Sequence, residues 1–327
     1  MKKITAVLPT IGRINYLDIA IESMLVQNIS FDEIIVFDNS IEQNLQELSN
    51  YGSNKLVTFI KSGKQLNAID SWNTAVESAK NDYVTIMGDD DILLPNYCEN
   101  IHNLLKLSDI GILKAYSINE NGVKKGTLIY PEKEILTDKE FRTSRFFNKL
   151  SLFVPGMVFK KELFLEIGGF KNTYIDGLAY ADELLLSQLS ALAGSISISK
   201  DFCWNYRIHS GQIAGVKDIS TYVDRVMKYL ELYEESLKLL DINIDELYPQ
   251  FTKQDYIDKA CRYGVKLYGT YASSNENIFI FLLNLIRYFI FDKRVSFKSR
   301  IKTTLSSVKA FIGSTNIGKT IKRIKNK

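Results

Sequence analysis

Three consecutive carboxylates, Asp89, Asp90 and Asp91, stand where the β-rich apolar run at residues 83–87 ends. Like charges packed side by side repel one another, so such a run favours a bound cation. A hard divalent ion such as Mg²⁺ or Mn²⁺, held by one or two carboxylates and by substrate phosphates, meets that need. The alternative is a polar turn in which one aspartate caps the following helix, which accounts for one carboxylate and not for three.

A further carboxylate, Asp38, ends another β-rich run at residues 33–37. The first third of the chain alternates such runs with amphipathic stretches, which predicts βαβ units and an α/β fold with a mostly parallel central sheet. Ligands of an open parallel sheet gather beyond the carboxyl ends of its strands. We therefore expect Asp38 and the three aspartates at one edge of the sheet.

Apolar periodicity and turn residues predict the elements that position these groups. Strands are predicted at residues 4–8, 33–37, 56–60, 83–87 and 110–115. Helices are predicted at residues 14–27, 66–79, 95–107, 137–148, 160–167 and 182–193. From residue 219 the pattern is helical almost to the end, which predicts a catalytic domain at 1–215, a helical region at 216–292 and a basic amphipathic segment at 293–327.

Charge is distributed unevenly along the 327 residues, whose formal net charge is +3. Residues 293–327 contain 11 Lys and Arg and no Asp or Glu, so residues 1–292 carry a net charge of −8. An acidic body is not typical of a nucleic-acid-binding protein. The basic segment predicts an amphipathic helix on an anionic membrane surface, with a solvated face of a helical bundle as the alternative. The apolar stretch at 278–291 is too short to span a bilayer.

The cysteines and histidines indicate the cellular compartment and limit the kinds of metal site. Three widely spaced cysteines, outside any CxxC pattern, favour a reducing cytoplasm. The apolar run before Pro9 is too short for a signal peptide. With only His102 and His209 present, zinc sites that need several imidazoles are excluded. His209 can supply a metal ligand, a diphosphate contact or a structural hydrogen bond.

A series of short motifs along residues 3–212 resembles inverting glycosyltransferase family 2, whose members use nucleotide-sugar donors and have the GT-A fold. The motifs include VLPTIGR at residues 7–13, GDDDILLP at 88–95, ADE at 181–183 and YRIH at 206–209, with shorter matches at 33–39, 72–73, 82–83, 158–160 and 168–170. Each motif is weak alone, and their order carries the resemblance. It implies the bacterial surface-polysaccharide type, in O-antigen or capsule synthesis.

The resemblance implies that a sugar moves from a nucleotide-diphosphate donor to an acceptor hydroxyl. It assigns six residues to the nucleotide-sugar pocket: Pro9, Thr10, Arg13, Asp38, Asn73 and Asp89. The expected acceptor is a lipid-linked oligosaccharide, because the basic end of the chain suits an anionic leaflet. The expected location is therefore cytoplasmic and peripheral, on the inner face of the cell membrane.

The resemblance also implies a divalent cofactor and a catalytic base. Asp90, supported by Asp91, matches the position that ligates Mn²⁺ or Mg²⁺, and His209 is a further candidate ligand. Asp182 matches the base that takes the proton of the acceptor hydroxyl. Taken alone, Asp182 is better explained as the cap of the helix that follows it, and Glu183 is the alternative base.

Two positions depart from the family pattern. Gly88 stands where many members have the first Asp of the DxD motif, and Ile11 replaces a common aromatic residue that stacks on the base. Two other functions stay open, the first because it also uses an α/β domain with clustered aspartates and the second because of Gly88. One is a metal-dependent sugar nucleotidyltransferase, although such enzymes usually have a Gly-rich basic phosphate loop after the first strand. The other is a non-catalytic glycan-binding protein on the same fold.

Overall fold

The structure is a computed structural model that describes residues 1–146, 149–171, 181–209, 219–239 and 292–314, with scattered positions between 252 and 288. The chain divides into two compact units. The first comprises residues 1–172 and 180–211, and the second comprises residues 173–179 and 212–327. The predicted border at residue 215 lies outside the described residues, and the border at 292 stays a prediction.

The described part of the first unit is built around a ten-stranded sheet. Its strands are β1 (Ile4–Thr10), β2 (Glu33–Asp38), β3 (Val57–Lys61), β4 (Tyr83–Ile86), β5 (Ile92–Leu93), β6 (Ile110–Asn119), β7 (Lys124–Thr127), β8 (Ile135–Thr137), β9 (Met157–Lys160) and β10 (Ser195–Ile208). They lie in the order β3-β2-β1-β4-β9-β6-β10-β5, with β7 beside β6 and β8 beside β10.

Strand direction agrees with the predicted fold class. Strands β3, β2, β1 and β4 are paired in parallel, and β6 and β10 are also parallel to each other. Strand β9 is antiparallel to both β4 and β6, so β6 and β10 run in the direction of β4. The prediction of an α/β fold with a mostly parallel central sheet is confirmed. The inserted strand β9 and the long strand β10 were not predicted.

The six helices predicted in the first unit are present, with ends displaced by no more than three residues. They are α1 (Ile14–Leu25), α3 (Ala68–Ser78), α4 (Tyr97–Leu104), α5 (Asp138–Phe146), α6 (Lys161–Glu166) and α7 (Ala181–Ala193), and a short helix α2 (Leu45–Leu48) is added. In α1 the apolar residues three and four apart are the buried ones, as amphipathic packing against the sheet requires.

The core of the first unit lies between the sheet and these helices. All seven residues of β1 are buried, which is typical of a central parallel strand. Trp204 of β10 is 1% exposed, and its indole N–H donates to the Leu113 carbonyl at 2.8 Å. Gly156, with φ of +88°, lies so close that a Cβ there would be 2.6 Å from the indole nitrogen. This close packing holds the end of β10 firmly against the sheet.

The second unit contributes two described helices, α8 (Ile219–Leu239) and α9 (Phe297–Ser314). None of the helices in the described part of the chain is both long enough and apolar enough to cross a bilayer. Most of the apolar stretch predicted at residues 278–291, and all of residues 315–327, lie outside the described residues.

Candidate active site

Three strand ends bring the predicted carboxylates to one edge of the sheet. In the parallel pairing of β1 with β2, Thr10 is the register partner of Asp38. Strand β4 lies on the other side of β1, and Met87 donates its N–H to the Val7 carbonyl at 2.8 Å. The aspartate turn, defined here as residues 88–91, therefore begins beside the end of β1, as expected from the strand order.

Asp89 is a buried residue of this turn, and it accepts hydrogen bonds from Thr10 at the end of β1 and from Arg13 in the loop that follows. The Thr10 hydroxyl donates to Asp89 Oδ2 at 2.5 Å, and the Arg13 guanidinium contacts both carboxylate oxygens. Burial raises the pKa of Asp89, and the hydrogen bonds from Arg13 and Thr10 act in the opposite direction. Asp89 therefore ties the β1–α1 loop to the aspartate turn.

Asp90 is the partly exposed carboxylate of the turn, with 14% of its side chain accessible. Its Oδ2 lies 2.9 Å from Arg13 Nη1 and 2.8 Å from His209 Nε2. The His209 ring also lies near Tyr16, with 5.6 Å between ring centroids. Asp90 and His209, which are 119 residues apart in sequence, form a carboxylate–imidazole pair beside an arginine.

Asp91 is buried and faces the backbone of β10. Its Oδ1 accepts the Arg207 N–H at 2.9 Å, and burial, together with the charge of Asp90, raises its pKa well above the usual range. The Arg207 guanidinium donates to the carbonyls of Asp90 and Glu120, each at 2.7 Å. Arg207 thus fastens the aspartate turn to β10. Sequence reasoning missed this role, although Arg207 lies within the YRIH motif.

Gly88 has a packing reason for lacking a side chain. A Cβ at this position would lie 2.7 Å from Asp91 Oδ2 and 3.0 Å from Asp90 Oδ1. An aspartate at position 88 would place a third carboxylate against those of Asp90 and Asp91. The lack of a side chain at position 88, which departs from the family pattern, therefore leaves room for the carboxylates of Asp90 and Asp91.

Of the three predicted metal ligands, Asp90 and His209 lie in contact with each other, and Asp91 contacts the backbone of β10. Among the described residues no group of three or more His, Cys, Asp and Glu side chains is arranged to hold a metal. Asp90 and His209 offer one carboxylate oxygen and one imidazole nitrogen, and donor diphosphate oxygens would complete a Mn²⁺ or Mg²⁺ site. The ligand roles of Asp90, Asp91 and His209 stay predictions.

Asp38 is buried and accepts several hydrogen bonds. Ser40 donates to it through its N–H at 2.8 Å and its hydroxyl at 2.6 Å, Lys61 Nζ lies at 2.9 Å, and the Leu45 N–H at 3.4 Å. Burial alone would raise the pKa of Asp38, but the bonds from Ser40, Lys61 and Leu45 outweigh it and lower the pKa. Through these hydrogen bonds, Asp38 holds the loop after β2 in place. Its contact with Lys61 was not indicated by the sequence.

Two other predicted pocket residues have mainly structural contacts. Pro9 is buried in β1 opposite Phe37 of β2. The Asn73 side chain on α3 accepts the Phe170 N–H at 2.8 Å and donates to the Phe170 carbonyl at 3.1 Å. Within the described residues, these contacts of Asn73 lead to the turn after α6 and not to the aspartate turn. The pocket roles of Pro9 and Asn73 stay predictions.

Asp182 lies in the first turn of α7. Its Oδ1 accepts the Glu183 N–H at 2.8 Å, so it satisfies one of the free donors at the helix start. Burial raises the pKa of Asp182 to about 6, while the charge of Arg145 opposes the rise. Glu183 itself is 9% exposed and is held by Arg145, with 2.9 Å between Oε2 and Nη2. A carboxylate with this pKa is ionised at neutral pH and can accept a proton.

The sheet order, with the aspartate turn at its carboxyl edge, is that of an α/β fold of the GT-A type. Residues 5–168 match the family model described as Glycosyl transferase family 2. The chain therefore belongs to glycosyltransferase family 2, and it is a glycosyltransferase.

Similar proteins agree with this assignment. An uncharacterized glycosyltransferase of Haemophilus influenzae is 23% identical over 292 residues, covering 86% of this chain and 94% of that protein. Glycosyltransferase GlyG of Streptococcus pneumoniae is 24% identical over 222 residues, covering 64% of this chain and 72% of that protein. The structure of S. aureus TarS 1-349 in complex with UDP-GlcNAc has a TM-score of 0.53 at 16% identity, covering 95% of this chain and 91% of that one. At that identity the likeness shows the fold alone.

Proposed function

We propose that this glycosyltransferase transfers a sugar with inversion from a nucleoside diphosphate to an acceptor hydroxyl, with Asp182 as the catalytic base. The observation that carries the proposal is the position of Asp182, a partly buried carboxylate in the first turn of α7, where burial raises its pKa to about 6. A base in this range is unprotonated at neutral pH and still basic enough to assist proton removal. Glu183 is a weaker candidate because its carboxylate is held in an ion pair with Arg145.

The donor diphosphate is proposed to bind at the exposed side of the aspartate turn. Asp90 and His209 would hold a divalent ion there, and that ion would supply electrostatic stabilisation of the leaving diphosphate. Arg13 places a guanidinium beside Asp89 and Asp90, so it fixes the turn and adds positive charge near the site. The UDP-GlcNAc complex of TarS supports a nucleotide sugar as the donor.

The base assignment is tested with Asp182→Asn and, as the matched control, Glu183→Gln. We expect Asp182→Asn to abolish sugar transfer while calorimetry shows nucleoside diphosphate binding close to that of the unmodified enzyme. Glu183→Gln should retain transfer. Full activity of Asp182→Asn would refute the base, and the reverse pattern would transfer the role to Glu183.

The donor site is tested separately by calorimetry with UDP, dTDP, GDP and CDP in the presence of Mn²⁺. Asp90→Asn should weaken nucleotide binding in the presence of Mn²⁺, whereas Asp201→Asn, an exposed change on β10, should not. Absence of binding for all four nucleotides would contradict the donor proposal. Equal binding with and without Mn²⁺ in the unmodified protein would contradict the metal.

The acceptor is proposed to be a lipid-linked oligosaccharide of bacterial surface-polysaccharide synthesis, used at the inner face of the membrane. What supports this is the basic segment at residues 293–327, which contains no acidic residue. Transfer to a lipid-linked acceptor in vesicles should exceed transfer to the same glycan free in water. Equal rates for both acceptors would contradict the lipid linkage.

A further inference from the structure

Three large apolar side chains in the first part of helix α9 are exposed. Phe297, Ile301 and Leu305 are 61%, 39% and 66% exposed, and their spacing of four residues places them along one side of the helix. We call these three residues the apolar stripe. Exposed apolar residues are ordinary when scattered, but three in a row on one helix face indicate a surface that binds something.

The opposite side of α9 is polar and buried. Ser299, Thr303 and Ser307 are 2%, 0% and 0% exposed. At about 100° per residue, the middle of this buried side points directly away from the middle of the exposed side. Over residues 297–308, for which the structure describes the side chains, the usual amphipathic arrangement with large apolar residues inward is therefore reversed.

Hydrogen bonds hold α9 in this orientation. The Ser296 N–H donates to Asp258 Oδ1 at 2.9 Å, and the Ser299 hydroxyl donates to the Asp258 carbonyl at 3.1 Å. Within the helix, the buried Thr303 hydroxyl is satisfied by the Ser299 carbonyl at 2.6 Å, so of these bonds only those to Asp258 fix the orientation. Rotating the helix to bury the apolar stripe would break the bonds to Asp258, so the exposure of the stripe is built into the second unit.

Positive charge adjoins the apolar stripe. Lys298 and Lys302 are exposed on the side of the helix next to it. Their ammonium groups can contact anionic headgroups while the apolar side chains enter the region below them. A second copy of this chain is a poorer partner, because a symmetric contact would bring the lysines of two copies together.

We propose that α9 docks on an anionic lipid bilayer through the apolar stripe, with Lys298 and Lys302 against the lipid phosphates. This deepens the proposed membrane location and rests on it. The helix would lie in the plane of the interface, as expected for an amphipathic segment that does not span the membrane. On the other side of the helix, the Ser299 hydroxyl joins it to Asp258 of the same unit.

The test is flotation of the full chain with vesicles of phosphatidylcholine alone or mixed with phosphatidylglycerol. The unmodified protein should float with the mixed vesicles, and less so in high salt. The double variant Ile301→Glu with Leu305→Glu should lose about tenfold or more of this binding. The matched control is Leu48→Glu with Leu56→Glu, which changes two leucines of the first unit that are 55% and 63% exposed, and it should bind as before.

Other outcomes would overturn the proposal. One is equal flotation of the double variant, and another is no binding of the unmodified protein to either vesicle. If ultracentrifugation shows a dimer for the unmodified protein and the control, and a monomer only for the double variant, the apolar stripe binds a second copy of the chain. Unchanged thermal unfolding checks that the variant is folded. Sugar transfer to a water-soluble acceptor separates the two proposals. If only the docking proposal is wrong, this transfer still occurs. If the proposed chemistry is wrong, it does not occur.

Discussion

Arg145 is expected to set the lower pH limit of activity through its charge next to Asp182. It lies on α5, forms an ion pair with Glu183 and opposes the rise in the pKa of Asp182 that burial causes. Arg142, one turn earlier, joins α5 to α7 independently, because its Nη2 donates to the Ser187 carbonyl at 2.6 Å. Removing the charge of Arg145 should therefore leave the two helices packed.

The size of the effect follows from the charges. A nearby opposite charge typically lowers a carboxylate pKa by about 1–3. In Arg145→Met this effect is lost, and Glu183, without its ion-pair partner, repels the ionised form of Asp182. The pKa of the base should rise from about 6 to about 7 or above. Because the base works unprotonated, the rate at about pH 6 should fall roughly fivefold, with little change at about pH 8.5.

The assay is the pH profile of kcat/KM for sugar transfer. Arg145→Met should move its acid limb upward, and Arg145→Lys should restore most of the original profile. Lys139→Met is the matched control, because it removes a positive charge from an exposed position on the same helix. An acid limb that stays in place in a folded Arg145→Met variant would refute the reasoning, as would the same displacement in Lys139→Met.

Further predictions concern the aspartate turn. Gly88→Asp should lower stability in urea unfolding by about 2 kcal/mol or more rather than improve Mn²⁺ binding, because its side chain meets two carboxylate oxygens. A gain in Mn²⁺ affinity would contradict this. Thr10→Val should cost about 1–2 kcal/mol in the same assay, since it removes a buried hydrogen bond to Asp89; an unchanged unfolding midpoint would count against it. Asp91→Asn should be more stable than the unmodified protein at neutral pH, because the raised pKa of Asp91 makes its ionised form costly above the unfolded-state pKa. That advantage should shrink as the pH falls towards about 4, and a pH-independent difference would disprove it.

The elements that could be predicted from the sequence are those with strong local signals. The apolar run of β1 and the helical spacing of Leu17, Ile21 and Met24 in α1 are sufficient without tertiary information. The meeting of Thr10 and Asp38 at one edge follows from the parallel pairing that βαβ units require. The resemblance to family 2 implied the roles of the site residues, which spacing alone did not indicate and which stay predictions.

Strand β10 shows where local reasoning was insufficient. Ser195–Ile208 begins with alternating Ser and Ile, which is a period-two signal, but buried serines weaken its apolar character. Ser197 is tolerated inside because its hydroxyl donates to the Ile110 carbonyl at 2.9 Å. The pairing also shifts register between Ile198 and Phe202, which no short-range pattern indicates. For these reasons, the contact of Arg207 with the aspartate turn could not be predicted.

The contacts of Asp89, Asp90 and Asp91 differ from the expectation that three adjacent like charges favour a bound cation. Asp89 is neutralised by Arg13, and Asp91 accepts a backbone N–H of β10 in a buried position. Arg13 therefore compensates the charge of one of the three carboxylates, and burial disfavours the charge of a second, Asp91. Only Asp90 is partly exposed, and it has His209 beside it. Because consecutive side chains of a tight turn point in different directions, one aspartate can face the solvent while its two neighbours contact the rest of the fold.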